Sequence, residues 1–289
     1  MELSTHPFRS ALYVPGSKER AIGKARSLPA DAIIFDLEDA VAPDAKAGAR
    51  ETLARELETG GFGNRVKIAR INALTSEWGF EDVTALGGSS VDAFLLPKVN
   101  APSDVDALAD MLGSDARILV MMETPASVFN AAEIAAHSSV SGLVAGTNDL
   151  IKDLGCRSRP DRMQLLYALQ KIVMAARASR EVVAIDGVYN QFRDAEGLKM
   201  ECEQGRDLGF DGKTLIHPDQ IGVANAVFGP SKAEIELAGR QIEAFEESLE
   251  SGQGIAVVDG KIVENLHVAA ARRLISRAEA ISEMEVARA

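Results

Sequence analysis

The chain has 289 residues, 46% of them hydrophobic, and a formal net charge of −12 with a pI near 4.9. An acidic chain lacks the clustered Lys and Arg that bind phosphate backbones, so nucleic acid is not an expected partner. There is no apolar stretch near the ~20 residues that span a bilayer, and the two cysteines are far apart, so we expect a cytoplasmic protein with free thiols and no membrane span.

Eight apolar runs of strand length follow one another along most of the chain. They are continuous rather than alternating, which is typical of strands that are buried on both faces of a parallel sheet. The runs are residues 11–14, 31–36, 66–71, 92–97, 117–122, 141–145, 182–188 and 212–216.

Segments with helical spacing of apolar residues lie between these runs. They include residues 44–57, 104–112, 128–136, 163–178 and 194–208. Because strand and helix alternate through eight units, and because such barrels have about 250 residues, we predict an α/β protein with a (β/α)8 TIM barrel over residues 1–228.

A helix-hairpin-helix extension is predicted for residues 229–289. A helical segment from Ser231 to about Leu249 precedes residues 255–264, where Asp259-Gly260 between apolar runs predicts a two-residue hairpin turn. Helical spacing resumes from His267 to Ile281. Since a hairpin and its helices have too little core to stand alone, we expect the extension to pack on the barrel or, more specifically, on a neighbouring subunit.

Two carboxylates close consecutive predicted strands. Glu123 ends one apolar run and Asp149 follows the next, 26 residues later, an interval that accommodates a strand, a loop and a crossover helix. Neighbouring parallel strands end on the same rim, so the two oxygen ligands are expected to meet there and to hold a divalent metal. The alternative for either residue alone is an ordinary surface acid.

Polar residues also follow most of the other predicted strands. In a TIM barrel this rim carries the active site, which is built from the loops after the strands. The alternative for each residue singly is a helix N-cap or a solvated loop. The residues are Asp36, Glu38, Asp39, Arg70, Asn72, Lys98, Asp186 and His217.

Several longer motifs resemble one known family. The chain is similar, over nearly its whole length and in the same order, to the citrate lyase beta subunit and to malyl-CoA and citramalyl-CoA lyases, which belong to the metal-dependent 2-oxo acid aldolases. The motifs that carry the resemblance are RSALYVPG (9–16), FDLEDAV (35–41), RIN (70–72), LPK (96–98), ETP (123–125), GTND (146–149) and GFDGKTLIHP (209–218).

This resemblance implies a metal site and a substrate site. Residues that match Glu123 and Asp149 hold Mg²⁺ in the family, with Mn²⁺ as an alternative, and the residue that matches Arg70 binds the carboxylate of the 2-oxo acid. Mg²⁺ usually takes one or two carboxylates from protein, and a guanidinium grips a carboxylate at two points. For Arg70 the alternative is a rim salt bridge with Asp36 or Glu38.

Residues around this site are expected to support it. Gly146 is expected to let backbone N–H groups approach the oxo acid, although a tight turn explains a glycine there nearly as well. Asp36, Glu38 and Asp39 are expected to hold metal-bound waters or Arg70.

One residue departs from the family pattern. Malyl-CoA and citramalyl-CoA lyases use an aspartate of the C-terminal segment, supplied by the adjacent subunit, as acid/base, and Glu264 stands at that place here. Glu is one methylene longer, and a misplacement of about 1 Å costs ~10²-fold in rate. Because the carboxylate is kept at this position, the resemblance implies that Glu264 is catalytic. The alternative is that Glu264 only ends an exposed hairpin strand.

For the CoA moiety the sequence offers only a basic cluster. Arg9, Lys18, Arg20 and Lys24 are predicted as a phosphate patch, with Arg9 as a substrate-binding residue, and a solvated helix face is the alternative. For His217 we favour packing and hydrogen bonding over metal ligation.

Three functions follow from the resemblance. The first is a carbon–carbon lyase that cleaves a 3-hydroxyacyl-CoA, such as malyl-CoA or citramalyl-CoA, into acetyl-CoA and a 2-oxo acid, or catalyses the reverse condensation. The second is the beta subunit of a citrate lyase complex, and the third is a non-catalytic subunit that binds CoA or an oxo acid. We expect a homotrimer or homohexamer, and the acid at 264 favours the first function.

Overall fold

A computed structural model describes residues 3–113, 116–179 and 181–288. Eight parallel strands form a closed barrel in the order in which they occur in the sequence. The strands are β1 Ser10–Pro15, β2 Ala32–Asp36, β3 Val66–Arg70, β4 Ala93–Leu96, β5 Ile118–Met122, β6 Val140–Ala145, β7 Val183–Asp186 and β8 Gly212–Leu215.

Helices connect these strands and cover the outside of the barrel, which confirms the predicted (β/α)8 fold. The helix predicted as one piece over residues 128–136 is two short helices. The helices of the barrel are α1 Glu19–Ala25, α2 Lys46–Thr59, α3 Gly79–Leu86, α4 Pro102–Leu112, α5 Pro125–Phe129, α6 Ala131–Ala135, α7 Thr147–Leu154, α8 Leu166–Ala178, α9 Ala195–Leu208 and α10 Ile221–Phe228.

The strands are buried on both faces, as their continuous apolar sequences predict. One set of side chains, including Ile34, Leu95 and Met121, fills the inside of the barrel. The alternate set, including Phe35 and Leu96, packs against the surrounding helices. Because both layers are closed by apolar side chains, polar groups collect at the strand ends, where the chain leaves the barrel.

Residues cluster into two compact units, Met1–Phe228 and Gly229–Ala289. The second unit consists of helix α11 Lys232–Glu250, the hairpin strands β9 Ala256–Val258 and β10 Lys261–Val263, and helix α12 Asn265–Val286. Asp259 and Gly260 both have positive φ, at 49° and 75°, which is the geometry of the predicted two-residue turn. A small apolar cluster that includes Phe245, Val258 and Val263 holds this unit together.

In the described part of the chain, no helix is both long and apolar enough to cross a membrane.

Candidate active site

A cavity of about 360 Å³ opens at the carboxyl ends of the strands. This is the end of a TIM barrel at which active sites lie. The residues that line the cavity include Tyr13, Asp36, Asp39, Arg70, Glu123, Gly146 and Asp149.

Arg70 and Asp36 form the first half of the site. They are directly paired in the register of β2 and β3, so their side chains emerge side by side. The Arg70 Nε and Nη2 groups donate to the two Asp36 carboxylate oxygens at 2.7 and 2.6 Å. The two-point grip expected for a substrate carboxylate is thus made with Asp36, and the salt bridge considered as an alternative is present.

Glu38 and Asp39 complete the surroundings of Arg70. The Arg70 Nη1 group lies 2.9 Å from Glu38 Oε2 and 3.5 Å from Asp39 Oδ2. Of the two roles predicted for these acids, holding metal-bound waters or holding Arg70, the contacts agree with the second. Burial raises the pKa of Glu38 to about 8, and the nearby Arg70 charge opposes this only in part. The Glu38 Oε2 atom is buried, and within the described residues no donor reaches it in hydrogen-bond geometry.

Glu123 and Asp149 form the second half of the site, with Lys98 between them. The Lys98 Nζ atom lies 2.8 Å from Asp149 Oδ2 and 3.3 Å from Glu123 Oε1, and the Lys98 backbone N–H donates to the same Glu123 oxygen at 2.7 Å. Burial raises the pKa of Glu123, and Asp149 adds to this. Partial burial opposes ionisation of Asp149, but its hydrogen bond to Lys98 outweighs this and lowers its pKa.

The paired carboxylates fit a divalent cation. Across residues 3–113, 116–179 and 181–288, no group of three or more His, Cys, Asp or Glu side chains is arranged to hold a metal ion. Mg²⁺ does not require three, because it keeps several waters and commonly takes one or two carboxylates from protein. Glu123 and Asp149 converge on a single cation, the Lys98 ammonium, and so present hard oxygen ligands to one point.

Gly146 lines the cavity, and its predicted role of letting backbone N–H groups approach the oxo acid stays a prediction. Its N–H donates to the Met122 carbonyl at 3.0 Å as part of the strand ladder, so it is not directed toward a ligand. A Cβ at this position would collide with the side chain of Glu123. The glycine is therefore needed because Glu123 passes directly against the backbone of the neighbouring strand.

Tyr13 and Lys98 belong to the site but were not among the predicted site residues. Tyr13 lies in the floor of the cavity with its ring 4.8 Å from the Arg70 guanidinium, and its hydroxyl contacts Met121 Sδ, a weak acceptor, at 3.6 Å. Lys98 was noted only as a polar residue after a strand. The signal for both lay in their positions within the LYVPG and LPK motifs, which flank the strand ends.

The structure corrects the prediction for Arg9. It precedes β1, so it lies at the opposite end of the barrel from the cavity, and it is only 4% exposed. Its Nε and Nη2 groups donate to the Asp31 carboxylate at 2.9 and 3.0 Å. Arg9 is a buried structural residue and is not part of a substrate or phosphate site. Lys18 and Arg20 are exposed at the start of α1, and Lys24 is exposed in its last turn.

Glu264 and His217 are two further residues that the sequence singles out. Glu264 precedes helix α12 in the second unit, its side chain is exposed, and its N–H donates to His267 Nδ1 at 3.0 Å. Its catalytic role stays a prediction. His217 accepts from the Asp219 N–H and stacks on Phe192, in line with the packing role favoured for it.

Asp186, another strand-end acid, lies in a separate charged cluster behind the barrel wall. It accepts hydrogen bonds from Arg162 at 2.8 Å, and Lys213 Nζ lies 3.2 Å from it. Lys213 also contacts Glu201 of α9 at 2.6 Å. Asp186 and Lys213 are fully buried, so this cluster joins strand to helix and does not face the cavity.

Comparison with known proteins identifies the family of the chain. Residues 9–218 match the HpcH/HpaI aldolase/citrate lyase family. The chain belongs to that family. The predicted citrate lyase beta-type relationship, and with it the prediction of an enzyme of this type, is therefore confirmed.

Individual relatives cover almost the whole chain. A (3S)-malyl-CoA thioesterase of Cereibacter sphaeroides is 57% identical over 98% of both chains. The citrate lyase subunit beta of Escherichia coli is 34% identical over 95% of this chain and 94% of its own.

A solved structure of CitE from Mycobacterium tuberculosis in complex with magnesium, acetoacetate and coenzyme A superimposes with a TM-score of 0.80. That protein is 31% identical and covers 95% of this chain and 98% of its own. Magnesium, CoA and an oxo acid, here the 3-oxo acid acetoacetate, thus occur together in a relative with this fold.

Proposed function

We propose that this chain is a Mg²⁺-dependent enzyme of CoA thioesters of small hydroxy dicarboxylic acids, and that it hydrolyses (3S)-malyl-CoA to malate and CoA. The identity of 57% over 98% of both chains with the Cereibacter sphaeroides thioesterase carries the proposal. The convergence of Glu123, Asp149 and Arg70 on one cavity supports it.

Glu123 and Asp149 are proposed to hold the metal. When bound there, Mg²⁺ supplies Lewis-acid stabilisation of negative charge on substrate oxygens. Glu123 is positioned for this by the Lys98 backbone N–H and by the open face of Gly146. Asp149 lies at the start of helix α7, where the helix dipole favours negative charge on a ligand.

Arg70 and Tyr13 are proposed to orient the substrate. Asp36 fixes the plane of the Arg70 guanidinium. Arg70 therefore attracts the malyl carboxylate by its fixed positive charge, because two of its N–H groups already bind Asp36. The Tyr13 hydroxyl has only a thioether sulfur as its described acceptor, so it is available to donate to a substrate oxygen.

Glu38 is proposed to move the proton. In hydrolysis, water forms a C–O bond with the thioester carbonyl carbon and gives its proton to the Glu38 carboxylate. The C–S bond then breaks with its electron pair on sulfur, and the proton passes from Glu38 to sulfur, so CoA leaves as the thiol. A pKa of about 8 suits this exchange, because a proton carrier works best when its pKa is near the working pH.

Carbon–carbon cleavage of the same thioester is the second candidate. It is favoured by the family and by the 34% identical citrate lyase subunit beta of Escherichia coli. Glu264 is its proposed acid/base. The replacement of the family aspartate by the longer Glu264 favours hydrolysis over cleavage, because displacement of the carboxylate slows carbon–carbon cleavage more than attack by water.

Product analysis separates the two reactions. Purified protein is incubated with (3S)-malyl-CoA and Mg²⁺, and free thiol, malate, acetyl-CoA and glyoxylate are measured. Hydrolysis gives equal amounts of thiol and malate, whereas cleavage gives acetyl-CoA and glyoxylate with no thiol. Absence of any Mg²⁺-dependent product, with Glu123→Gln as the matched control, would refute both candidates.

We also propose that the second unit completes the site of a neighbouring subunit in a homotrimer or homohexamer. Its hairpin and the start of α12 expose four large apolar side chains next to Glu264: Ile255, Val257, Ile262 and Leu266, each more than half exposed. Exposed apolar surface of this kind marks an interface.

Mixing of variants tests this assembly. If the product analysis finds carbon–carbon cleavage by the wild type, Arg70→Ala and Glu264→Ala chains, each expected to be inactive in cleavage alone, are co-assembled. Some mixed interfaces then pair an intact barrel with an intact Glu264, so part of the activity returns. If none returns, or if the wild type is an active monomer by light scattering, the shared site is wrong.

A further inference from the structure

We infer that Lys98 and the divalent cation compete for the same pair of carboxylates, so that Lys98 sets the metal affinity of the site. This inference rests on the proposed metal site and adds a residue to it. The observation that carries it is the position of the Lys98 ammonium, 2.8 Å from Asp149 and 3.3 Å from Glu123. A divalent cation held by both carboxylates would need the space between them that the ammonium fills.

The three side chains differ in their freedom to move. The Lys98 side chain is 41% exposed, whereas that of Glu123 is 2% exposed. The ammonium therefore leaves toward solvent while Glu123 stays in place. Lysine is suited to this because its charge lies at the end of a flexible four-carbon stem.

The backbone at Lys98 keeps the metal ligand in position after the side chain has left. Lys98 has φ of 56°, an uncommon conformation for a residue other than glycine, and its N–H donates to Glu123 Oε1 at 2.7 Å. That hydrogen bond does not involve the ammonium. Displacement of the Lys98 side chain therefore exposes the two carboxylates without releasing Glu123.

The difference in charge favours replacement of the Lys98 ammonium by Mg²⁺. Lys98 brings one positive charge to two carboxylates, and Mg²⁺ brings two. The metal thus binds more strongly than the ammonium, but its net affinity is reduced by the ion pairs that it must break. A partly exposed ion pair of this kind corresponds to a change in metal affinity of about tenfold.

Calorimetric titration with MgCl₂ alone tests the inference. The full-length protein is stripped of metal, and the dissociation constant of Mg²⁺ is measured for wild type, Lys98→Met and Lys152→Met. Lys152 is the matched control, because it is exposed and adds positive charge near Asp149 from one turn along α7 without occupying the space between the carboxylates. We expect about tenfold tighter Mg²⁺ binding for Lys98→Met and less than about twofold for Lys152→Met.

A structural role predicts the opposite sign. If Lys98 only supports the rim, Lys98→Met binds Mg²⁺ more weakly or equally, and the inference is overturned. Lys98→Gly is the second variant, since it removes the ammonium and suits the positive φ; it is expected to match Lys98→Met. Melting temperatures with and without Mg²⁺ give a further readout, in which Lys98→Met shows the larger rise on metal addition.

The same Mg²⁺ titrations distinguish failure of the proposed metal site from failure of the role inferred for Lys98. If the wild type and all variants bind no Mg²⁺, the metal site itself is wrong. If the wild type binds Mg²⁺ and Glu123→Gln does not, the site stands, and the comparison of Lys98→Met with Lys152→Met decides the role of Lys98.

Discussion

Two charged clusters surround the barrel strands and differ in exposure: Asp39 and Lys98 of the first are exposed, whereas Asp186 and Lys213 of the second are fully buried. The rim cluster lies at the carboxyl ends of the strands, next to the cavity, and contains Asp36, Glu38, Asp39, Arg70, Lys98, Glu123 and Asp149. The wall cluster lies between the strands and helix α9 and contains Arg162, Asp186, Glu201 and Lys213. Both contain acids that follow or end strands, so they look alike in the sequence.

The clusters differ in charge balance. Five carboxylates at the rim face two cationic side chains, whereas two carboxylates in the wall face two. The pKa directions agree with this difference. Burial raises the pKa of Glu123, but in the wall the charges of Lys213 and Arg162 overcome burial and lower the pKa of Asp186. An excess of carboxylates next to a cavity indicates a site for a cation, and a balanced cluster behind a wall indicates a role in stability.

The largest expected effect is a loss of stability when a cation is removed from the wall cluster. Lys213→Met leaves Asp186 buried without one of its cations, and removal of one partner of a buried pair costs about 3–5 kcal/mol. Urea unfolding measures this loss. Lys98→Met at the rim is the comparison, and we expect a change in stability below about 1 kcal/mol there because the pair is partly exposed. Equal losses for the two variants would remove the distinction between the clusters.

The next effect concerns activity at the rim. Glu123→Gln keeps the shape of the side chain but removes a metal ligand, and we expect a loss of turnover of at least about 10²-fold with little change in unfolding free energy. Thiol release from malyl-CoA measures the first and urea unfolding the second. Asp186→Asn is the reverse case, in which stability falls and the remaining folded protein keeps its turnover per molecule. Normal turnover of Glu123→Gln would place the metal elsewhere.

Arg70→Lys tests how the rim holds its cation. Lysine keeps the charge but cannot make both hydrogen bonds to Asp36, so the positive charge is no longer fixed over Tyr13. We expect turnover to fall about 10- to 100-fold, mainly through misplacement of the substrate carboxylate. Asp36→Asn should show a smaller loss in the same direction. A variant Arg70→Lys with the wild-type rate would show that the held orientation is unimportant.

The sequence predicts the barrel well because its signal is redundant. Each strand is a continuous apolar run, and the predicted boundaries differ from those observed by only one or two residues at most ends, as for the run over 182–188, which is β7 Val183–Asp186. Side chains that stand at strand ends are then placed on one rim by topology alone. Glu123 and Asp149 were found in this way.

Contacts within the rim were less predictable. The bidentate pairing of Arg70 with Asp36 depends on strand register, the place of Lys98 depends on a positive φ, and the need for glycine at 146 depends on the path of the Glu123 side chain. The sequence places Arg9 in a phosphate patch and Asp186 at the rim, because sequence distance from a strand does not give the face or the end of the barrel. These are three-dimensional properties, and a single sequence carries little signal for them.

The smallest effect concerns the pH dependence of stability. The pKa of Glu38 is about 8 in the folded chain, well above its ordinary value of 4.5, because burial disfavours the charged form. The folded state therefore binds this proton more tightly than the unfolded state. The contribution to stability is full below pH 4.5 and is lost as the pH rises through 8. Glu38→Gln cannot ionise, so it should escape this loss.

Urea unfolding of the two proteins at pH 6 and pH 8 measures the difference. Since Glu38 also contacts Arg70, its replacement has a constant cost, and the informative quantity is the change in the difference between the proteins with pH. We expect Glu38→Gln to gain on the wild type by about 2 kcal/mol over this range. Glu58→Gln, which removes an exposed carboxylate of α2, is the matched control and should gain almost nothing. If Glu38→Gln and Glu58→Gln respond alike, Glu38 is an ordinary ionised acid, and the proton transfer assigned to it must belong to another residue.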